Sequence, residues 1–176
     1  KCRVSNKFCS NFKHYNTKQR YAGVLQGYSE KVKGLKGIIF CVNVDHTINT
    51  YQTFKDAGLP VYQVHSKMSS QEREFNVREF ESSPDGIMIN CGILCVGYDH
   101  APIRFVLQDF ATTSLPKFLQ TIGRGSRPYQ NKEMFFVLDY GKNHERHSLW
   151  NMNRKWELKE TKKKKNIGAA GVKNCP

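Results

Sequence analysis

Five short apolar runs punctuate the chain: GIIFCV (37–42), VYQVH (61–65), IMINC (87–91), RFVLQDF (104–110) and MFFVLDY (134–140). Most lack an in–out alternation, the pattern of a strand covered on both faces. Helical patterns lie between them. A strand that alternates with a helix is joined to the next strand by a right-handed crossover, which makes the pairing parallel. Residues 35–141 are therefore expected to form an α/β domain of three layers, a mainly parallel sheet with helices on both faces.

End signals bound the helices. Residues 17–32 carry an apolar stripe of Tyr21, Val24, Leu25, Tyr28 and Val32, closed by Gly34 and Gly37. A second helix starts at Asn43 or Asp45 and runs to about Ala57. A third starts at Ser69 or Ser70 and runs to about Phe80, and a fourth covers 114–122. The spacing predicts a last helix over 145–156. Residues 1–34 thus read as a connecting segment and helix, and 142–176 as a C-terminal helix with a basic tail from Lys159. Ligands of open parallel sheets collect outside the carboxyl ends of the strands, which here means 43–46, 65–73, 92–102, 112–114 and 141–144.

The chain has 28 Lys and Arg against 15 Asp and Glu, a net charge of +13. Such an excess favours a polyanionic partner, nucleic acid before an anionic membrane. Part of it is local to 162–165; the rest is dispersed. No apolar run reaches the ~18 residues of a spanning helix, so no membrane partner is expected, and the isolated domain is expected to be monomeric. Cys41, Cys91 and Cys95 read as reduced structural thiols, which predicts a reducing, cytoplasmic setting. Cys2, Cys9 and Cys175 lie near the ends. One thiolate does not make a zinc site, so no metal is expected on this chain. It begins with lysine, so more protein is expected upstream.

One stretch, QTIGRGSRP (120–128), sets Gln120, Arg124 and Arg127 among residues that oppose a continuing helix. The reading is a helix end whose last turn offers two planar guanidinium forks, suited to a phosphate chain. The plainer reading is a surface salt bridge to Glu133 or Asp139.

That stretch resembles motif VI of superfamily 2 helicases, Gln-x-x-Gly-Arg-x-x-Arg. NCGILCVGYDHAP (90–102) resembles motif V, GIIFCVNVDH (37–46) motif IV, and VHSKMSSQERE (64–74) the segment between them. All four stand in the family's order. VLDYGKNHERH (137–147) and the Lys-rich end with KNCP (173–176) are similar to phage and bacterial members related to DNA-repair helicases, whose tails carry a Cys-Pro-x-Cys zinc knuckle. Zn²⁺ is thus implied only for a full-length protein. The sequence departs from the pattern in three places: GYDHAP is one residue longer than usual, Ser66 stands where glycine is common, and the polar position early in motif V corresponds to Asn90 or Cys91.

The resemblance implies a RecA-like (P-loop NTPase-like) fold and an ATP-dependent motor. No Gly-x-x-x-x-Gly-Lys-Ser/Thr phosphate loop and no magnesium-binding acidic box occur. ATP and Mg²⁺ are therefore expected to be held mainly by an N-terminal RecA-like domain of the same protein. By the same resemblance, Arg124 and Arg127 are arginine fingers for the γ-phosphate, and Gln120 orients that phosphate or the attacking water. Asp99 accepts from a ribose hydroxyl, with Gly97 permitting close approach. Asn43, Ser66, Arg73, Asn90 and Gly92 would face nucleic acid, with DNA favoured over RNA. A non-enzymatic basic nucleic-acid-binding module is the alternative. His65, His144 and His147 are scattered rim histidines, Asp109 and Asp139 end strands without a catalytic companion, and Trp150 and Trp156 either stack on bases or dock a terminal helix.

Overall fold

The computed structural model describes residues 16–156. Its elements are α1 (Lys18–Lys31), β1 (Gly37–Cys41), α2 (Val44–Asp56), β2 (Val61–Val64), α3 (Ser70–Ser82), β3 (Ile87–Asn90), a 3₁₀ turn (Ile93–Cys95), β4 (Phe105–Asp109), α4 (Leu115–Ile122), β5 (Phe136–Asp139) and α5 (Asn143–His147). The strands form one all-parallel sheet in the order β2-β3-β1-β4-β5. Central β1 is buried at every position, with Ile39 opposite Ile89 on one side and Leu107 on the other.

Alternate residues of each strand feed two cores. Ile39, Ile89 and Leu107 pack with Val24 and Tyr28 of α1 and Phe54 of α2. Ile38, Met88 and Val106 pack with Phe80 of α3 and with Leu94 and Phe110. On that second face Gln108 donates from its buried amide to the Phe118 carbonyl of α4 at 3.1 Å. The expected three-layer architecture is therefore present.

Helix starts are set by side-chain caps that satisfy the first free N–H groups. Thr17, Asn43, Ser69 and Ser114 each accept a backbone N–H three residues on. Ser69 and Glu72 complete a reciprocal capping box. The choice between Asn43 and Asp45 thus falls to Asn43, and that between Ser69 and Ser70 to Ser69.

The last predicted helix is corrected. Only Asn143–His147 is helical, because Ser148 takes φ 62° and stops the turn. Beyond it, the Arg154 guanidinium donates to the carbonyls of His147, Leu149, Trp150 and Met152. One side chain thereby organises a compact strap where helical hydrogen bonds were expected. The basic tail and Cys2, Cys9 and Cys175 lie outside the described residues.

Asp109, at the carboxyl end of β4, is wholly buried. Arg20 of α1 donates to it through Nε at 2.8 Å and through Nη2, and also reaches the Tyr140 carbonyl at 2.8 Å. His46 of α2 brings Nε2 to 2.9 Å from the other carboxylate oxygen. One carboxylate thus joins two helices to the rim of the sheet. Removing one partner of a buried ionic cluster strands the rest. Asp109→Ala is expected to cost about 3–5 kcal/mol of unfolding free energy in urea denaturation. Removing the exposed Lys67–Asp45 pair with Lys67→Ala should cost less than about 1 kcal/mol.

Candidate functional site

Because every strand is parallel, all five strand-to-helix loops open on one edge. β3 ends at Asn90. Two left-handed glycines, Gly92 (φ 74°) and Gly97 (φ 78°), then bracket the 3₁₀ turn. Side chains rarely adopt that backbone region. The result is a tight loop that carries exposed Gly97 and Asp99 on the rim.

Three cations from the stretch after α4 hold this loop. Arg124 donates through Nη2 to the Cys95 carbonyl at 2.8 Å and through Nη1 to the Tyr98 carbonyl. Arg127 pairs with Asp99 at 2.5 Å, their side chains 39% and 62% exposed. Lys132 donates to the carbonyls of Ala101 and Arg127 at 3.0 and 2.8 Å. Burial, then the nearby Arg104 charge, lowers the Lys132 pKa. Gln120 is exposed on the last turn of α4.

These contacts revise the expectation of two outward forks. Arg127 keeps a partly accessible guanidinium, whereas Arg124 spends both terminal nitrogens on loop carbonyls. Arg124 turns inward because two loop carbonyls with no other use stand within its reach. Neither arginine pairs with Glu133 or Asp139 among the described contacts; Asp139 takes His144 instead, at 2.8 Å.

The nucleic-acid candidates divide. Ser66 and Gly92 are exposed. Arg73, half-buried, donates to Ser70 Oγ at 3.1 Å and keeps the rest of its fork. Asn43 spends its side-chain oxygen on capping α2. Asn90 is the correction: it is fully buried, donating to the Ile39 carbonyl at 3.1 Å and accepting from Leu94 N at 3.4 Å. It fixes the start of the motif V loop and presents nothing to solvent.

Other polar groups act as scaffold. Buried Asn143 accepts from Thr112 N and donates to the Phe110 carbonyl and to Asp139, tying the loops after β4 and β5 together. His147 stacks on Phe118 and reaches the Thr112 carbonyl at 2.8 Å. Burial raises the pKa of the Cys91 and Cys95 thiols, opposed by the Lys117 charge. Among the described residues no three His, Cys, Asp or Glu side chains converge on one point. None of their helices is long and apolar enough to cross a membrane.

A five-stranded parallel layer, with an arginine stretch folded over a glycine-bounded loop at its carboxyl edge, is the RecA-like α/β domain of superfamily 2 motors. The chain belongs to the helicase conserved C-terminal domain family, which matches residues 19–128. It is 30% identical over 128 residues to a protein of Saccharomyces cerevisiae named "Putative ATP-dependent helicase IRC3"; the match covers 71% of this chain and 19% of that protein. A 51.5 kDa protein of a Lactococcus phage is 26% identical over 159 residues, 89% of this chain and 35% of its own length. Among solved structures, Mss116p DEAD-box helicase domain 2 bound to an RNA duplex superposes with a TM-score of 0.56 at 25% identity, covering 69% of this chain and 48% of that one. The C-terminal domain of the DEAD-box protein Dbp5 superposes at 0.59 and 20% identity, over 74% and 76%. The chain spans about a fifth to a third of the length of these curated relatives.

Two outcomes follow from the geometry. Arg124→Ala releases both loop carbonyls, so amide hydrogen exchange should accelerate over 92–99 while the β1 core stays protected. Arg124→Lys should not restore protection, because one ammonium lacks the fork. Burial also lowers the pKa of His65 and His100, so the fold favours their neutral form. Below about pH 6.5 the unfolded chain binds protons that the folded chain refuses. Unfolding free energy should therefore fall between about pH 7.5 and about pH 5.5, less steeply in His65→Gln.

Proposed function

We propose that this chain is the second motor lobe of an ATP-dependent superfamily 2 helicase or translocase acting on nucleic acid, and that it completes an ATP site held mainly by a first RecA-like lobe. The observation that carries this reading is the Arg127–Asp99 pair. It sets a phosphate-gripping fork beside a carboxylate able to accept from a ribose hydroxyl, on a loop clasped by Arg124 and Lys132.

The pair is half open to water, where such contacts are worth about 0–1 kcal/mol. Exchanging it for nucleotide contacts therefore costs little. Arg127 turns to the γ-phosphate and stabilises charge developing on its oxygens. Asp99, released, accepts from the ribose, with Gly97 leaving room for close approach. Gln120 orients the γ-phosphate or the attacking water. Arg124 acts as a positioning residue in the conformation described: it holds the loop that carries Asp99. Magnesium and the phosphate cradle do not fit this chain's own residues and are assigned to the first lobe.

Nucleic acid lies across the rim at Ser66, Arg73 and Gly92, with Asn43 shaping the start of α2. Such contacts position a backbone without reading sequence, and binding weakens with salt. DNA is favoured by the likeness to DNA-repair-type members, and Gln120 in place of histidine leans the same way. RNA is the second reading, favoured by the similarity to Mss116p domain 2 bound to an RNA duplex. The free thiols Cys41, Cys91 and Cys95 suit a reducing compartment.

The test joins the chain to its first lobe and follows nucleic-acid-stimulated ATP hydrolysis. Arg127→Ala is expected to lower kcat about 10³–10⁵-fold with folding intact, and Arg127→Lys to recover little. Asp99→Ala should act mainly on KM. Wild-type turnover in Arg127→Ala would favour the non-enzymatic binding module instead.

A further inference from the structure

The second face of the sheet is incompletely covered at its β5 edge. A groove of about 340 Å³ runs between α4 and the strap after α5, walled by Phe118, Val137, Leu149 and Trp150. Asp139 and His144 close the end nearest the rim. The Asp139 carboxylate is held by Asn143 Nδ2, His144 N and His144 Nδ1 and keeps its negative charge, so this end of the groove suits an uncharged base and not a phosphate. Trp150 leans one face on Phe135, with ring centroids 5.3 Å apart, and remains 37% exposed. Six residues on, Trp156 is 70% exposed.

The surroundings of this patch are cationic. From Arg146 to Trp156 the sequence holds two arginines and a lysine and no acid. Arg154 is consumed by the strap's own carbonyls, which leaves Arg146 and Lys155 exposed. Glu145, just before them, is taken by Lys142 at 3.4 Å. Exposed indoles set beside exposed cations match what single strands ask for: ring faces for bases and positive charge for phosphates. A purely apolar protein segment would leave that charge unmatched.

We propose that this groove and strap form a second contact for single-stranded nucleic acid, apart from the rim loops. One base enters the groove against Trp150, the next stacks on Trp156, and Arg146 and Lys155 face the phosphates. The proposal rests on the reading that the domain works on nucleic acid, and extends the strand's path from the rim onto the β5 edge.

The chain has two tryptophans, Trp150 and Trp156, so its tryptophan emission reports on this patch alone. The experiment titrates the 176-residue chain with end-labelled oligothymidylate and, in parallel, oligouridylate, reading label anisotropy and tryptophan emission together. The expected result is saturable quenching whose midpoint matches the anisotropy midpoint for at least one of the two strands. Trp156→Ala should weaken binding about fivefold or more. So should Trp150→Ala, and Trp150→Phe, which keeps both the packing on Phe135 and a stacking face, should recover most of it. Anisotropy that rises while emission stays unchanged, with both alanine variants binding like wild type, would overturn this proposal and leave the rim reading intact. No anisotropy response to either strand would overturn both. Emission that shifts only with protein concentration, without a strand, would assign the patch to self-association and overturn the proposal as well.

Discussion

A carboxylate sealed from water must be answered by a cation and by hydrogen-bond donors, and Asp109 dictates much of what surrounds it. Its two oxygens draw Arg20 from α1 and His46 from α2 onto the carboxyl end of β4. Arg20 reaches on to the Tyr140 carbonyl just after β5. A single buried charge thereby sets where two helices of one layer meet the sheet edge. Asn43 caps α2 three residues before His46, so the loop after β1 is placed by the same contact. The rim is rigid there because the charge cannot be left unpaired.

The other side of the rim is governed by carbonyls. In the loop after β3, Arg124 donates to the carbonyls of Cys95 and Tyr98 and Lys132 to that of Ala101. The stretch after α4 and the loop after β3 therefore behave as one unit, although 26 residues separate Tyr98 from Arg124. In a two-lobed motor such a unit would transmit a change at the nucleotide to the strand-facing loops, since moving one part means breaking donors to the other.

Strands and helix starts were legible in the sequence because each rests on local chemistry: apolar runs for β1 to β5, and capping oxygens at Thr17, Asn43, Ser69 and Ser114. The strap after α5 was not. Its apolar residues keep a helical spacing, but the left-handed Ser148 and the carbonyl cluster around Arg154 are tertiary events with no local signature. Asn90 misled for a related reason, since a polar residue at a strand end looks the same whether it faces water or ties two strands. Arg127 was legible from its pattern; the inward turn of Arg124 was not, because backbone carbonyls 26 and 29 positions away leave no mark on composition. Lys132 has no local signature, since its place follows from the turn at Asn131 (φ 58°), a feature of the folded backbone.

The Arg127–Asp99 contact stands in partial reach of solvent. Mobile ions screen such a pair within about 8–10 Å at ordinary ionic strength, whereas Asp109, with no exposure to solvent, is largely shielded from them. Two electrostatic elements of one lobe therefore answer differently to the same buffer. Added electrolyte loosens the surface latch while leaving the foundation untouched, so the lobe can be primed chemically without being softened mechanically.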